Sequence, residues 1–594
     1  MNKTIKKIIY LAFILLAVTS SGLVLMAQSG KDRPAGRLTF DHFYDHAELT
    51  SALKQLQAAY PELMELVSIG KSYQGRDIWA AIINNKKTGP AERKPGFYID
   101  GNVHGNEIQG TEVALYTIYY LLTKAGKLEA VDRLLSDRVF YIVPTMNPDS
   151  RDYFLHLATD SNSPRSGLVP YDDDRDGLLD EDGPDDLDGD GSITYMRKRD
   201  PKGNYRSNPD NPMIMEPCLP GERGEFIFLG SEGIDNDGDG LINEDGPGGY
   251  DMNRNFGFNW QPNYVQRGSG PYPFSWPETR AIRDFIMEHP NIMGAQTFHN
   301  NGGLILRGPG ARNLGDTLPA DRQVYDFIGK KGEMILPGYR YIVIYKDMYT
   351  VYGGSVDFIY SLLGIFTFSN ELDFEQYVGT SRAERTRTSE AAESSARRRF
   401  SPVGNPEEII YHQLVLMGEQ LVEWKPYKHP LYGDIEIGGV KKMGRRVPAS
   451  FQLPETCHRN AAFCLYHADQ LPRLNLEEVK VKRLDSGLFQ IDVRVGNKQV
   501  TPSISALAAQ KKLHRPDMIR VKGKARIISA GILTDRFREL TEPVKVREDY
   551  FLVGNGIPGF GYVDFRLLVD GSGEIDLIYD SLKGGYLEKK ISLK

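Results

Sequence analysis

The chain has 594 residues, 40% of them hydrophobic and 25% charged, with a net charge of −7. At roughly 100 to 200 residues per domain this suggests two to four domains, and the composition excludes a disordered chain, a single small binding module and a multi-span membrane protein. The acid is local: residues 172–190 hold eleven acidic side chains and residues 235–245 hold five, while the rest of the chain is net positive without a basic stripe, which points to cation-binding loops and away from nucleic acid.

Lys3, Lys6 and Lys7 precede an apolar run over residues 8–18 and then Thr19, Ser20, Ser21 and Gly22, the order of a secretory signal with cleavage after Ala27. Residues 1–27 therefore predict export to a periplasm or the extracellular space. The alternative is an uncleaved membrane anchor, because residues 8–27 are just long enough to cross a bilayer. No other stretch is long and apolar enough to span, and three cysteines exclude a disulfide framework.

Residues 28–37 read as a polar linker. From residue 38, apolar runs alternate with helical periodicity, which predicts an α/β domain with a mostly parallel or mixed central sheet flanked by helices. Residues 97–101 and 139–143 read as buried strands with a helix over 107–122 between them. Further strands are expected at 294–298 and 365–368, and helices at 277–287 and 409–424. Residues 381–399, rich in Arg, Ser, Glu and Ala, read as a solvated insertion.

Residues 424–427 mark a break that closes this domain near 430. A connecting segment is expected over 431–474, with one helix-like stretch at 454–472. On a helix Cys457 and Cys464 would lie about 10 Å apart, so both read as free buried thiols. Beyond it, the alternation of Phe489, Ile491, Val493 and Val495, and later of Val563, Phe565 and Leu567, predicts an antiparallel, sandwich-like all-β domain over 475–594.

His104 and Glu107 follow the strand that ends at Gly101. An isolated H-x-x-E is a weak signal, but His299 ends a second strand. In open α/β sheets, sites form outside the carboxyl ends of strands, and two His with one Glu leave an open position on zinc for water. Glu371, directly after a third strand, is placed to act as a base. Asn253 and Arg254 offer an amide and a planar guanidinium suited to a carboxylate.

This constellation resembles the zinc metallocarboxypeptidases of the carboxypeptidase A type over about residues 40–425. The run Tyr60-Pro61-Glu62-Leu63 leading to Ile69-Gly70-Lys71-Ser72 and Gly75-Arg76 resembles the family's opening strand pair, and Asn147-Pro148-Asp149 resembles its turn after a core strand. The resemblance implies one catalytic Zn2+ on His104, Glu107 and His299, with Glu371 as general base. It implies that Asn253 and Arg254 clamp the substrate's terminal carboxylate. Tyr349, with Tyr352 as its rival, corresponds to the tyrosine that closes over substrate. Arg197, with Arg199 as its rival, corresponds to the arginine that stabilises the oxyanion. Val356 falls at the base of the side-chain pocket, where an uncharged residue suggests apolar or aromatic C-terminal side chains. Asn106 departs from the pattern, standing where many relatives carry a basic residue.

The chain between Asn147 and Asn253 is far longer than in a compact relative, and the insertion at about 160–250 holds two repeats. Residues 172–184 and 235–247 agree at nine of thirteen positions, and both read D-x-D-x-D-G. Asp172, Asp174 and Asp176, and likewise Asp235, Asp237 and Asp239, are expected to ligate structural Ca2+. Position twelve is Gly183 or Gly246, so neither repeat is an EF-hand. A solvated acidic surface is the plain alternative.

Together these readings predict a secreted or periplasmic zinc carboxypeptidase acting on the C-termini of peptides or proteins. One alternative substrate is a cell-wall peptide. The alternative from another class is a calcium-dependent binding or adhesion protein.

Overall fold

The computed structural model describes residues 37–172, 175–218, 221–373 and 406–594. The signal segment, Asp174 and the insertion expected at 381–399 lie outside the described residues.

An eight-stranded mixed sheet forms the centre of the first domain. Its order is Met64–Lys71, Asp77–Ile83, Val139–Val143, Gly96–Gly101, Ile292–Asn300, Phe366–Leu372, Leu304–Arg307 and Arg340–Val343. The middle strands Val139–Val143, Gly96–Gly101, Ile292–Asn300 and Phe366–Leu372 run parallel to one another. Gly96–Gly101 and Ile292–Asn300 are buried along their whole length, as parallel strands covered on both faces must be. Alternate residues serve two cores: Phe97 and Ile99 join the helices Gln109–Lys124 and Leu453–Asp469, whereas Tyr98 joins Pro277–Glu288 on the opposite face.

Two sequence expectations are corrected here. The helix expected at 409–424 is Pro406–Leu414 only; left-handed backbone at Met417 (φ 52°) and Gly418 (φ 82°) ends it, and Leu421–His429 is an edge strand. Pro426 sits in that strand, where an edge tolerates the missing N–H. Residues 431–474 do more than connect. Strand Gly433–Val440 joins a second, six-stranded antiparallel sheet with insertion strands Tyr195–Arg199 and Phe226–Ser231, and helix Leu453–Asp469 completes the central core. The fully buried Arg138 ties down the end of that helix, donating to the carbonyls of Ala468 (3.1 Å) and Leu471 (2.7 Å). Cys457 and Cys464 are both free and buried.

The C-terminal domain is all-β and antiparallel. Its two long strands, Asp517–Asp535 and Tyr562–Ser581, each place both of their halves in one core, and Leu474–Asp485 comes against Gly585–Leu593. It is joined to the first domain by polar anchors. Asp321 accepts from the N–H groups of Ala506 (2.8 Å) and Leu507 (2.9 Å), and the buried Lys583 ammonium donates to the Ile292 carbonyl at 2.6 Å. Among the described residues, no helix is long and apolar enough to cross a membrane.

His467 gives a test of this packing. Its ring is fully buried between Phe97 and Phe368, with centroids at 4.9 and 5.2 Å, and burial pushes its pKa down to about 3. The unfolded chain takes up that proton near 6.5, so stability is lost as pH falls from 6.5 toward 3. His467→Leu should be spared this loss, about 1.4 kcal/mol per pH unit below the unfolded pKa. Melting temperatures at pH 7.5 and 5.0 check it, and an equal acid sensitivity in both proteins would contradict this packing.

Candidate active site

The register places the site. Gly101 pairs with Phe298 and Glu371 pairs with His299, so three parallel strands end side by side and deliver their polar residues to one edge. Past Gly101 the chain turns through Asn102, whose left-handed φ of 61° an Asn tolerates. The Asn102 amide donates to the carbonyls of His104 (2.7 Å) and Gly105 (3.2 Å) and accepts from Thr145 Oγ1 (2.9 Å), which braces the loop. The Glu107 N–H then closes a turn onto the His104 carbonyl at 3.1 Å. Neither strand end nor turn leaves His104 or Glu107 exposed to solvent.

Three side chains converge there. Glu107 Oε2 lies 3.0 Å from His104 Nδ1 and 2.8 Å from His299 Nδ1, and the two Nδ1 atoms are 3.1 Å apart. Ligands about 2.0–2.2 Å from a tetrahedral zinc stand about 3.3 Å from one another, so this spacing and this donor set fit zinc. The outward nitrogens are also engaged: His104 Nε2 faces Asp251 Oδ1 at 2.9 Å, and His299 Nε2 faces Asn253 Nδ2 at 3.3 Å. A carboxylate on the far nitrogen fixes the tautomer that leaves Nδ1 free to ligate.

Charge is balanced inside the protein. Burial opposes the charge on Glu107, but His104, Arg165 and His299 outweigh it and hold its carboxyl well below the usual range. Its second oxygen, Oε1, accepts from Arg165 Nη1 (2.7 Å) and Arg446 Nη2 (3.1 Å). Asp251 is also held well below the ordinary range; burial opposes this, and Arg254, His104 and Arg165 outweigh it. Glu371 moves the other way, because burial and the charge of Glu107 both raise its pKa. A carboxylate of raised basicity therefore shares the pocket with the two converging histidines.

His104, His299, Glu371, Asn253, Arg254 and Tyr349 all line this one pocket. Arg254 Nη1 donates to the Asn253 carbonyl at 2.9 Å, and Asn253 Oδ1 accepts the Ser355 N–H at 2.9 Å, which ties the Asn-Arg turn to the loop before Val356. That loop passes so close that a Cβ on Gly353, at φ 66°, would collide with the Arg254 carbonyl. Val356 is buried beside Leu306, Ile344 and Val351 in an apolar wall, and Tyr349 stands half-exposed at the mouth. Asp357 also lines the pocket; the Gly310 N–H reaches its two oxygens at 3.1 and 2.9 Å, and burial raises its pKa to about 6.

Arg197 does not reach the pocket. Its guanidinium is sandwiched 4.0 Å from the ring centroids of Phe226 and Trp424 and bonded to Glu436 at 2.7 Å, because strand Tyr195–Arg199 belongs to the second sheet. Its rival Arg199 is exposed beside the same glutamate. Arg165 occupies the pocket instead. The sequence reading also missed Asp251, Arg446 and Asp357. Asp251 stood in plain sight two residues before Asn253, whereas Arg165 sits in no pattern and Arg446 meets Glu107 across 339 positions.

The acidic side chains of the repeats gather in clusters apart from the His104, Glu107 and His299 group. Asp235, Asp237 and Asp239 converge, and Asp176 meets Glu181 and Asp237. Asp172 belongs to no described cluster and accepts from the Arg175 N–H.

A family model described as zinc carboxypeptidase matches residues 49–391, and the chain belongs to that family. A model for a domain of unknown function matches residues 473–592. The chain is 35% identical over 109 residues to carboxypeptidase D of Drosophila melanogaster, covering 18% of this chain and 8% of that protein. It is 34% identical over 113 residues to carboxypeptidase M of Mus musculus, covering 18% of this chain and 25% of that protein. Its matches thus span a quarter or less of these relatives. The structure of carboxypeptidase A from Helicoverpa armigera is similar at 20% identity and a TM-score of 0.40, covering 65% of this chain and 78% of that one.

Arg446 reaches the candidate ligand Glu107 from beyond the segment that the family model matches. Arg446→Met should weaken zinc binding by about tenfold or more, and Arg446→Lys should recover part of it. Competition with a chelator measures this, and unchanged zinc affinity in Arg446→Met would show that the contact does not tune the ligand.

Proposed function

We propose that this chain is an exported zinc carboxypeptidase that removes the last residue of a peptide. The observation that carries the reading is one pocket lined by His104 and His299, which converge with the buried Glu107, by the basic carboxylate Glu371 and by the Asn253-Arg254 pair. Zinc on His104, Glu107 and His299 supplies Lewis acidity when bound. Asn253 and Arg254 hold the substrate's terminal carboxylate, which makes cleavage terminal. Glu371 accepts the proton of the attacking water and returns one to the leaving amine. Arg165, aimed into the pocket, donates to the carbonyl oxygen as charge develops there. Tyr349 covers the bound residue from the mouth. Export rests on the N-terminal run of Lys3, Lys6 and Lys7 before residues 8–18. Structural Ca2+ in the acidic repeats belongs to the same reading.

The apolar wall of Val356, Leu306, Ile344 and Val351 favours peptides ending in apolar or aromatic residues. Asp357 in the lining favours a second reading, in which a C-terminal Lys or Arg is accepted.

Glu371→Gln should retain zinc and lose turnover by on the order of 10²–10⁴-fold. Zinc content and hydrolysis of a free-acid peptide check this together; near wild-type turnover would remove Glu371 from the mechanism. A C-terminally amidated peptide should be cleaved at least about tenfold more slowly, since the charge-assisted contact to Arg254 is lost. Equal rates on amidated and free peptides would move the protein to another reaction class.

Specificity separates the two readings of the pocket. A peptide ending in Phe should exceed its Lys counterpart by about tenfold in kcat/KM. A preference for Lys that Asp357→Asn abolishes would establish the second reading instead.

A further inference from the structure

The two acidic repeats dock on each other as near-equivalent halves. Asp182 and Asp245 hold the same position in their repeats, and each donates its N–H to the other's carbonyl at 3.2 Å. The following residues repeat the symmetry: a Cβ on Gly183 would meet Pro247, and one on Gly246 would meet Pro184. Such pairing brings together carboxylates that the sequence keeps far apart.

Asp182 from the first repeat converges with Asp237 and Glu244 from the second, one carboxylate oxygen of each lying within 4.8 Å of the others. Asp182 is fully buried; its Oδ1 accepts from Asn236 Nδ2 at 3.0 Å, but its Oδ2 has no hydrogen-bond partner. Glu244 Oε2 is buried without a partner as well. A buried, unpaired carboxylate oxygen is costly, and three carboxylates at this spacing repel. A shared proton would relieve one charge of the three. A divalent cation would offset two of the three and give the unpaired carboxylate oxygens a partner.

We propose that the paired repeats form one cross-repeat calcium site with Asp182, Asp237 and Glu244 among its ligands, and that the bound ion fastens the segments carrying Arg165 and Asp251. The proposal rests on the calcium part of the preceding reading and reassigns its ligands. All donors are oxygen, which selects a hard cation, and donors from two separate loops suit the larger and less rigid shell of calcium over magnesium. The flanking chain shows what the ion would secure. Arg165 precedes the first repeat and Asp251 follows the second, and Arg165 Nε reaches Asp251 Oδ2 at 3.3 Å. Ser166 Oγ bonds the Gly248 carbonyl, and the Val169 N–H donates to Tyr250 Oη at 3.1 Å. Closing the repeats therefore closes the strap that brings two partners of the zinc ligands together.

The test is calcium titration calorimetry and thermal melting on the zinc-loaded full chain, comparing wild type, Asp182→Asn/Glu244→Gln, Glu244→Gln alone and the distant control Asp210→Asn. Wild type and control should bind calcium and gain in melting temperature, while magnesium at the same concentration gives less. The double variant should bind at least tenfold more weakly and lose the gain; Glu244→Gln alone should show a partial loss. In calcium-free buffer the double variant should melt at or above wild type because repulsion is relieved, an outcome that mere structural damage would not give. Wild-type calcium affinity in the double variant would overturn the ligand assignment and leave calcium standing elsewhere in the repeats. No calcium binding by wild type would overturn both, while Glu371→Gln independently judges the zinc chemistry.

Discussion

Glu107 is a carboxylate with almost no access to water, and the arrangement around it exists to keep it charged. A charge so buried persists only with compensation from close by, and four cationic or ligating groups surround it. Two imidazoles meet one oxygen and two guanidiniums meet the other. With Oε1 held by arginines, Oε2 alone faces the histidines, so the candidate metal position lies on one side of the carboxylate. Neighbouring carboxylates meet opposite outcomes: Asp251, near the guanidiniums of Arg254 and Arg165, is driven to ionise, whereas Glu371, buried near Glu107, becomes more basic.

This constraint reaches well beyond the central sheet. Arg446 arrives on the segment between strand Gly433–Val440 and helix Leu453–Asp469, and its carbonyl accepts from Asn300 Nδ2 at 3.0 Å, next to His299. The helix itself covers Phe97 and Phe368, the interiors of two strands whose ends make the site. Arg165 and Asp251 come from either side of the acidic repeats and meet over His104 and Glu107. A family-sized domain therefore borrows from its insertion and from the chain that follows it.

Much of this was legible in the sequence where local pattern and chemistry coincide. The strand ends carrying His104, His299 and Glu371 announce themselves as apolar runs followed by a polar residue, and the Asn253-Arg254 pair lies in a short polar segment. Helix Leu453–Asp469 and the period-two strands of the C-terminal domain were equally plain. What failed was information held by distance. Family resemblance assigns Arg197 to the oxyanion, yet strand pairing places it in another sheet, where Phe226 and Trp424 enclose it. The helix expected to run through 424 stopped at Leu414 because a left-handed turn at Met417 and Gly418 outweighs apolar periodicity. In the repeats, reading each D-x-D-x-D-G loop by itself hid Asp182 and Glu244, whose neighbourhood exists only once the two copies dock.

The zinc K-edge absorption spectrum of the metal-loaded protein tests the ligand set most directly. One zinc per chain should show only nitrogen and oxygen neighbours at about 2.0–2.2 Å, with the multiple scattering of two imidazoles. That imidazole signal should fall by half in His299→Ala or vanish with the metal. A sulfur neighbour, three or more imidazoles, or a spectrum indifferent to His299 would contradict a His104–Glu107–His299 zinc site.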